Sequence, residues 1–309
     1  MNYQHCLQIA VGNAVCYSGF REGQRPGVLF PAYEQVKEDL LIIQEHWQYI
    51  RLYSCDNHAL TVLDVIEKEK LPIKVILGAF IEAEINNPNC PWGGVYSQEK
   101  LSENQNQNLQ EVQKLIQLAN TYPEIIFAVS VGNEACVRWT DHLVPVDKVI
   151  NYIEKVKSGV KQPVTFCENY VPWLDILEPL AEVVDFISIH TYPVWENKSI
   201  EESMEFTEQN YLSVAYKYPN KLVVITEAGW TTESNGFGIP RENVNQETQR
   251  IYYKALTNWS KKNNILTFVF EAFDEPWKGS NDPDEPEKHW GLFTVDRKPK
   301  LTMMATSYK

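Results

Sequence analysis

Lys74-Val75-Ile76-Leu77-Gly78-Ala79-Phe80 and Phe127-Ala128-Val129-Ser130-Val131-Gly132 are short apolar runs, and the segment between them is built differently. Across Leu101–Asn120 the apolar residues recur at three- and four-residue steps, most clearly Leu109, Val112, Leu115, Ile116 and Ala119. Runs too short for a helix and apolar on both faces, flanking a segment of helical period, predict two parallel strands joined by a crossover helix. Working outward, six more runs of the first kind follow the same rhythm: Ala14–Ser18, Tyr49–Tyr53, Pro163–Cys167, Phe186–His190, Leu222–Thr226 and Leu266–Phe270. Amphipathic stretches separate them at Tyr33–Trp47, Ala59–Lys70, Val146–Ser158, Ile200–Tyr218 and Asn245–Lys262, with a shorter helix after Pro172 and a last one starting at Pro299. Eight strand–helix units without a Gly/Ser/Pro-rich linker predict an α/β fold, a single (β/α)8 TIM barrel over residues 1–309; a doubly wound sheet is the alternative. Long connections follow the third strand (Ile81–Lys100) and the eighth (Phe273–Trp290), at the end of the barrel where such folds carry their sites.

Composition narrows the function. The 309 residues are 44% hydrophobic and 22% charged, enough for a sizeable core. A net charge of −13 repels phosphate backbones and anionic membrane surfaces, which argues against nucleic acid as a partner. No apolar run approaches the roughly 18 residues of a membrane span, and a monomer is expected. The six cysteines form no C-x-x-C pair; Cys16, Cys55, Cys136 and Cys167 fall in or just after strand runs and read as small buried hydrophobes that need no disulfide. The six histidines show no metal-ligand spacing, so neither metal nor cofactor is implied. Met1–His5 has neither a basic nor an apolar leader region. The expected compartment is therefore secreted or periplasmic if a signal peptide has been removed, and cytoplasmic if the sequence is complete. Nine Trp and sixteen Tyr exceed what core packing asks for, and neutral sugars are a ligand class that uses such faces.

On a barrel the informative residues are those at the C-terminal strand ends. In order they are Tyr17; Tyr53; Phe80 and Glu82; Asn133-Glu134; Glu168-Asn169-Tyr170; His190 and Tyr192; Glu227 and Trp230; then Glu271, Phe273, Asp274, Glu275 and Trp277-Lys278. Carboxylates and aromatics dominate, and no Ser, His or Cys set for acyl transfer accompanies them. Glycoside hydrolysis needs that combination: an acid to protonate the leaving oxygen, a carboxylate at the anomeric centre and aromatic faces for the sugars. Glu134 and Glu227, on the fourth and seventh strands, face each other across the mouth and form the expected pair, about 5–5.5 Å apart in a retaining enzyme. The member in the drier, more apolar setting should keep its proton near neutral pH. Asn133 is placed to bind a sugar hydroxyl, the 2-OH beside the anomeric carbon; a helix N-cap with a first-turn acid explains Asn-Glu equally well. Trp47 and Trp259 fall on helices and read as packing, whereas Trp92, Trp139, Trp195, Trp230 and Trp277 lie on loops and read as sugar-stacking faces.

Gly132-Asn133-Glu134, Thr226-Glu227-Ala228-Gly229-Trp230 and Glu287-Lys288-His289-Trp290-Gly291-Leu292-Phe293 together resemble glycoside hydrolase family 17, the β-1,3-glucanase family of the retaining barrel clan. Val15-Cys16-Tyr17, Arg51-Leu52-Tyr53 and Tyr192-Pro193-Val194-Trp195 extend the likeness over nearly the whole chain. The resemblance implies Glu134 as general acid/base and Glu227 as nucleophile, with Glu275, Lys278 and Glu287 beside the pair and tuning its charge. It also implies sugar contacts from Trp195 and Trp230. The loop Phe273-Asp274-Glu275-Pro276-Trp277-Lys278 is closer to bacterial and fungal members than to plant ones. The expected substrate is β-1,3-glucan or its oligosaccharides, cut by double displacement, with endo action slightly favoured over exo. A β-1,3-glucanosyltransferase would use the same residues. A non-catalytic glucan-binding barrel would have lost a carboxylate, and the eighth-strand signature argues against a β-1,4 glycanase.

Overall fold

Strands apolar on both faces can only be satisfied by burial between a core and a layer of helices. The computed structural model describes residues 6–304. Its strands are β1 Ala14–Cys16, β2 Tyr49–Leu52, β3 Lys74–Ala79, β4 Ile126–Asn133, β5 Val164–Asn169, β6 Ile187–Thr191, β7 Val223–Ala228 and β8 Thr267–Val269. They form a closed parallel barrel in chain order, sealed by β1 pairing with both neighbours: Ala14 lies opposite Tyr49 of β2 and Phe268 of β8. The helices are α1 Tyr33–Ile43, α2 Asn57–Glu69, α3 Gln98–Thr121, α4 Val146–Gly159, α5 Tyr170–Leu174, α6 Glu178–Val183, α7 Ser203–Lys217 and α8 Gln246–Asn263. The predicted α/β barrel is therefore the fold, and the doubly wound alternative is excluded.

Boundaries depart from expectation where tertiary contacts override periodicity. α1 stops at Ile43 rather than Trp47, because the chain turns there and Trp47 packs its ring into the core beside Phe293. α7 begins at Ser203, three residues later than predicted. No helix starts at Pro299 within the described residues: Pro299 bridges back to Phe293, and buried Lys300 bonds Asp274, Thr232 and the carbonyl of His289. Residues 305–309 and the leader reading at Met1–His5 lie outside the described residues. All six cysteines are free thiols, and Cys16, Cys55, Cys136 and Cys167 are buried as predicted. Trp47 is buried, and Trp259 packs against the core beside Tyr211.

Two register shifts in the sheet position the site. Ser130 pairs with Thr165 and Asn133 with Cys167, so β4 carries one residue more than β5 over that interval. Ile189 pairs with Ile225 and His190 with Glu227, so β7 carries an extra residue, Thr226, against β6. Such bulges re-aim the side chain that follows, and the residues they re-aim are Asn133-Glu134 and Glu227.

Asp39 of α1, fully buried, ties the start of the barrel to its end. It accepts from Arg297 Nε at 2.7 Å and Nη2 at 2.6 Å, from Arg21 Nη2 at 2.9 Å and from the Tyr17 hydroxyl at 3.0 Å. Removing one partner of a buried pair leaves an uncompensated charge, so Asp39→Ala is expected to cost about 3–5 kcal/mol in urea unfolding. A cost below about 1 kcal/mol would mean that the guanidinium of Arg297 finds water without it.

Candidate active site

Arg51 of β2 is 1% exposed, and a guanidinium at that depth needs acceptors. Its Nη1 donates to Glu227 Oε1 at 2.5 Å and its Nη2 to Asn133 Oδ1 at 2.5 Å. The Tyr53 hydroxyl donates to the same Glu227 oxygen at 3.0 Å, and the Tyr192 hydroxyl to Oε2 at 2.5 Å. Burial alone would raise the Glu227 carboxyl, but His190, Arg51 and the Tyr192 hydroxyl outweigh it and hold the group at about 2. Glu227 is thus the drier of the pair, its side chain 8% exposed against 27% for Glu134, and yet its carboxyl is held ionised. The expectation that the drier carboxyl keeps its proton fails because this dry setting is lined with donors and cations rather than apolar groups.

Glu134 sits at a backbone φ of 48°, in the left-handed region, two residues after Gly132 at φ 92°. A Cβ at Gly132 would come within 2.7 Å of Ile81 Cδ1 and 2.8 Å of Phe166 Cε2, so only glycine fits this tight passage. The Glu134 N–H still reaches the Cys167 carbonyl at 2.9 Å, which anchors the turn to β5. Asn133 is therefore the end of a strand, and the helix N-cap reading of Asn-Glu is excluded.

His190 of β6, wholly buried, lies between the two carboxylates: its Nδ1 is 2.9 Å from Glu134 Oε1 and 3.5 Å from Glu227 Oε2. Burial would lower this imidazole, but Glu227, Cys167 and Glu134 raise it to about 10. Beneath Asn133, His142 Nε2 donates to the Asn133 carbonyl at 2.8 Å and Nδ1 faces Asp141 Oδ1 at 2.8 Å. Nδ1 also lies 3.1 Å from the Thr140 hydroxyl, and the bonds to Asp141 and to the Asn133 carbonyl raise the ring's proton affinity despite its burial. Neither Arg51 nor these histidines stood among the predicted site residues. The available signal was a charged or titratable residue inside an apolar strand run, Tyr49-Ile50-Arg51-Leu52-Tyr53 and Phe186–His190, which a barrel must answer with a carboxylate.

The eighth strand and its loop supply a second charged cluster. Lys278 lies 3.2 Å from both Glu271 oxygens and pairs with Glu275, which also accepts from Ser18 and, at 2.9 Å, from Trp277 Nε1. Burial pushes Glu275 up, but Lys278 more than reverses it. Glu287, half-buried on the same wall, is pushed up to about 7 by burial and by Glu134 and Glu227, against the pull of Lys278.

Glu134, Glu227, Asn133, Tyr53, Tyr192, Glu275, Lys278 and Glu287 line one cleft of about 1800 Å³, well beyond the ~300–1,000 Å³ of an ordinary small-molecule pocket. Its walls are aromatic: Trp92 and Trp139 on the third and fourth loops, Trp195 and Phe237 on the sixth and seventh, Phe20 and Trp277 on the first and eighth. Two predicted sugar contacts are corrected. Trp230 is 1% exposed, donates its Nε1 to the Asn243 carbonyl at 3.1 Å and packs on Tyr252, so it supports the seventh loop from beneath. Phe273 is buried between Tyr17, Phe293 and the Arg297 guanidinium, outside the cleft. Tyr17 reaches the cleft floor, but its hydroxyl is taken by Asp39.

A closed (β/α)8 barrel whose mouth holds paired carboxylates between aromatic walls defines the class: a glycoside hydrolase. The chain belongs to the BtgE/BtgC glycoside hydrolase domain family, whose profile matches residues 14–291. It is 27% identical over 195 residues to a glucan 1,3-beta-glucosidase of Arthroderma benhamiae, a match covering 58% of this chain and 61% of that protein. The chain thus spans less than two thirds of that relative's length. Its fold is like that of an endo-laminarinase from Formosa Hel1_33_131, with a TM-score of 0.83, 24% identity and coverage of 98% of this chain and 88% of the other. It is also like an active-site mutant of a Rhizomucor miehei beta-1,3-glucanosyltransferase in complex with laminaritriose, with a TM-score of 0.75, 21% identity and coverage of 94% and 96%.

Glu287 gives the cleft a titration near neutrality: below pH 7 the carboxyl is neutral, and above it adds a negative charge beside Glu134 and Glu227. Carbon-13 NMR of labelled glutamate side chains is expected to show a carboxyl titrating near pH 7 that disappears in Glu287→Gln. Its survival in the variant would assign it to another residue.

Proposed function

We propose that the protein is a retaining β-1,3-glucan hydrolase of the glycoside hydrolase family 17 type, acting as a single catalytic domain on β-1,3-glucan or its oligosaccharides. The observation that carries this reading is the pairing of an ionised Glu227 with Glu134 through one imidazole nitrogen. Oxygens 2.9 and 3.5 Å from the same atom stand no more than about 6.4 Å apart. That closeness is compatible with the ~5–5.5 Å spacing of a pair in which one carboxylate attacks directly. Glu227 attacks the anomeric carbon while Glu134 protonates the departing oxygen; Glu134 then takes a proton from water as it releases the sugar from Glu227. Arg51 and Tyr192 hold the nucleophile's two oxygens, and Asn133, itself gripped by Arg51, presents its amide to a hydroxyl next to the reacting carbon. Tyr53, Trp195, Trp277, Glu275 and Lys278 are the further sugar-facing groups of this reading. The identities of the relatives support the β-1,3 linkage, and the large volume of the cleft supports endo action.

Transfer to a second sugar is the other reading. It is favoured by the exposed rings of Trp92 and Trp139, 66% and 38% accessible on one side of the cleft, which suit an incoming acceptor.

A time course on laminarin with products resolved by length is expected to show a ladder of oligosaccharides for the wild type and none for Glu227→Ala. Glu134→Ala should lose about 10²–10⁴-fold on laminarin and far less on a dinitrophenyl β-glucoside, whose leaving group needs no proton. Equal losses on both substrates would remove Glu134 from the acid role, and products longer than the starting oligosaccharide would favour transfer.

A further inference from the structure

The acid/base role read above requires a proton at Glu134 at rest, and the charges around it decide where that proton is kept. Four groups meet at the base of the cleft: buried Glu227 from β7, Arg51 from β2 and His190 from β6, with the partly exposed Glu134 just past the end of β4. The neighbours of His190 on β5 are the Cys167 thiol and buried Glu168, whose two oxygens accept from the backbone N–H groups of Cys136 and Asn169 and whose carboxyl is pushed well up by burial and by Glu134. His190 Nδ1 faces two carboxylate oxygens, and the Cys167 sulfur is a further hydrogen-bonding neighbour of the ring. Of the two carboxylate contacts, the shorter runs from Nδ1 to Glu134 Oε1.

We propose that His190 and Glu134 hold the catalytic proton jointly on this 2.9 Å path, with His190 as a positioning residue that keeps the proton at the site and delivers it through Glu134. With the proton on either partner, the four groups sum to zero charge: imidazolium, Arg51 and two carboxylates, or Arg51 and Glu227 with a neutral acid and a neutral imidazole. Removing the proton leaves an unbalanced negative charge in a dry site, which is costly. During glycosylation that one proton passes from Nδ1 to Glu134 Oε1, where it is not already there, and from Glu134 on to the glycosidic oxygen. That oxygen takes the electron pair of the breaking bond, and Glu227 forms the new one. Glu227 loses its charge in that step as the proton leaves with the sugar, so Glu134 is an anion opposite Arg51 and the sum is again zero. Water then returns one proton to the pair as Glu227 is freed. The site thus stays electrically balanced through both halves of the cycle. The upward displacement of the imidazole agrees with this sharing, since a coupled pair loses its proton as a unit.

The test compares wild type with His190→Asn and His190→Gln on laminaripentaose and on dinitrophenyl β-laminaribioside. For the wild type the alkaline limb of kcat/KM on laminaripentaose is expected above pH 8. Both variants should bring it down by at least about one pH unit, with a larger loss of kcat/KM on laminaripentaose than on the dinitrophenyl substrate, which needs no acid. A purely structural role would lower both substrates alike and leave the limb in place, and that result overturns the inference. Nitrogen-15 NMR of the imidazoles in the free wild-type protein reads the same proton without any reaction. A His190 ring doubly protonated at pH 7.5 supports sharing, and one that titrates near 6.5 overturns it. Failure of the wild type to cleave either substrate would instead sink the glucanase reading, with the imidazole signal still deciding the proton's place.

Discussion

The site depends on a guanidinium that cannot leave the barrel. Arg51 projects from a strand whose neighbours are apolar, and the closed ring offers it only the far wall. There it meets Glu227 at one nitrogen and Asn133 at another. One cation thereby sets the orientation of residues from the fourth and seventh strands, and it makes ionised Glu227 the stable form of a carboxyl that burial would otherwise neutralise. Tyr53 and Tyr192 complete the cage, so both oxygens of Glu227 are held by donors and neither has to be reorganised as charge moves during reaction.

Holding two carboxylates this close demands a departure from regular sheet. Straight strands alternate their side chains strictly, so a residue at a strand end is fixed to one side. The extra residues in β4 and β7 break that alternation immediately before Glu134 and Glu227, and the left-handed turn at Glu134 completes the adjustment. A non-glycine residue in that region costs of order 1 kcal/mol or more, and it persists because the Cys167 carbonyl, the Asn133–Arg51 bond and the His142–Asn133 bond define its position from three sides.

The barrel was legible because each parallel strand has to be apolar on both faces, a pattern few other folds repeat eight times in register with helical segments. The strand ends holding Glu134 and Glu227 could be read for the same reason. What could not be read was which side of its strand each end residue takes. Trp230 follows Glu227 by three residues and Phe273 follows the eighth strand, and both stand in motifs that suggest sugar contacts. A bulge in β7 and the packing of Phe293 turn them away from the cleft instead. Arg51 and His190 were hidden by the opposite effect: in a sequence they interrupt apolar strands, and only closure of the ring brings their partners within reach. Helix ends failed where one large side chain, such as Trp47, had a better place in the core than on the helix.

The two charge clusters divide what the fold must do. Asp39, with Arg21, Arg297 and Tyr17, is closed on itself: every polar contact it makes is to the chain, and its task is to bind the last strand's extension to the first helix. The cluster in the mouth is left open on one side, where Glu134 is partly exposed and Glu287 stands half-buried beside Lys278. Carboxylates gathered there repel one another, and the cost falls to the rest of the barrel, whose apolar strand–helix interfaces bury enough surface to carry it. A cleft that concentrates negative charge around Arg51, His190 and Lys278 suits a neutral substrate. A sugar brings no charge of its own, so binding it leaves intact the balance on which the ionisation of Glu227 rests, whereas an anionic ligand would compete for the same cations.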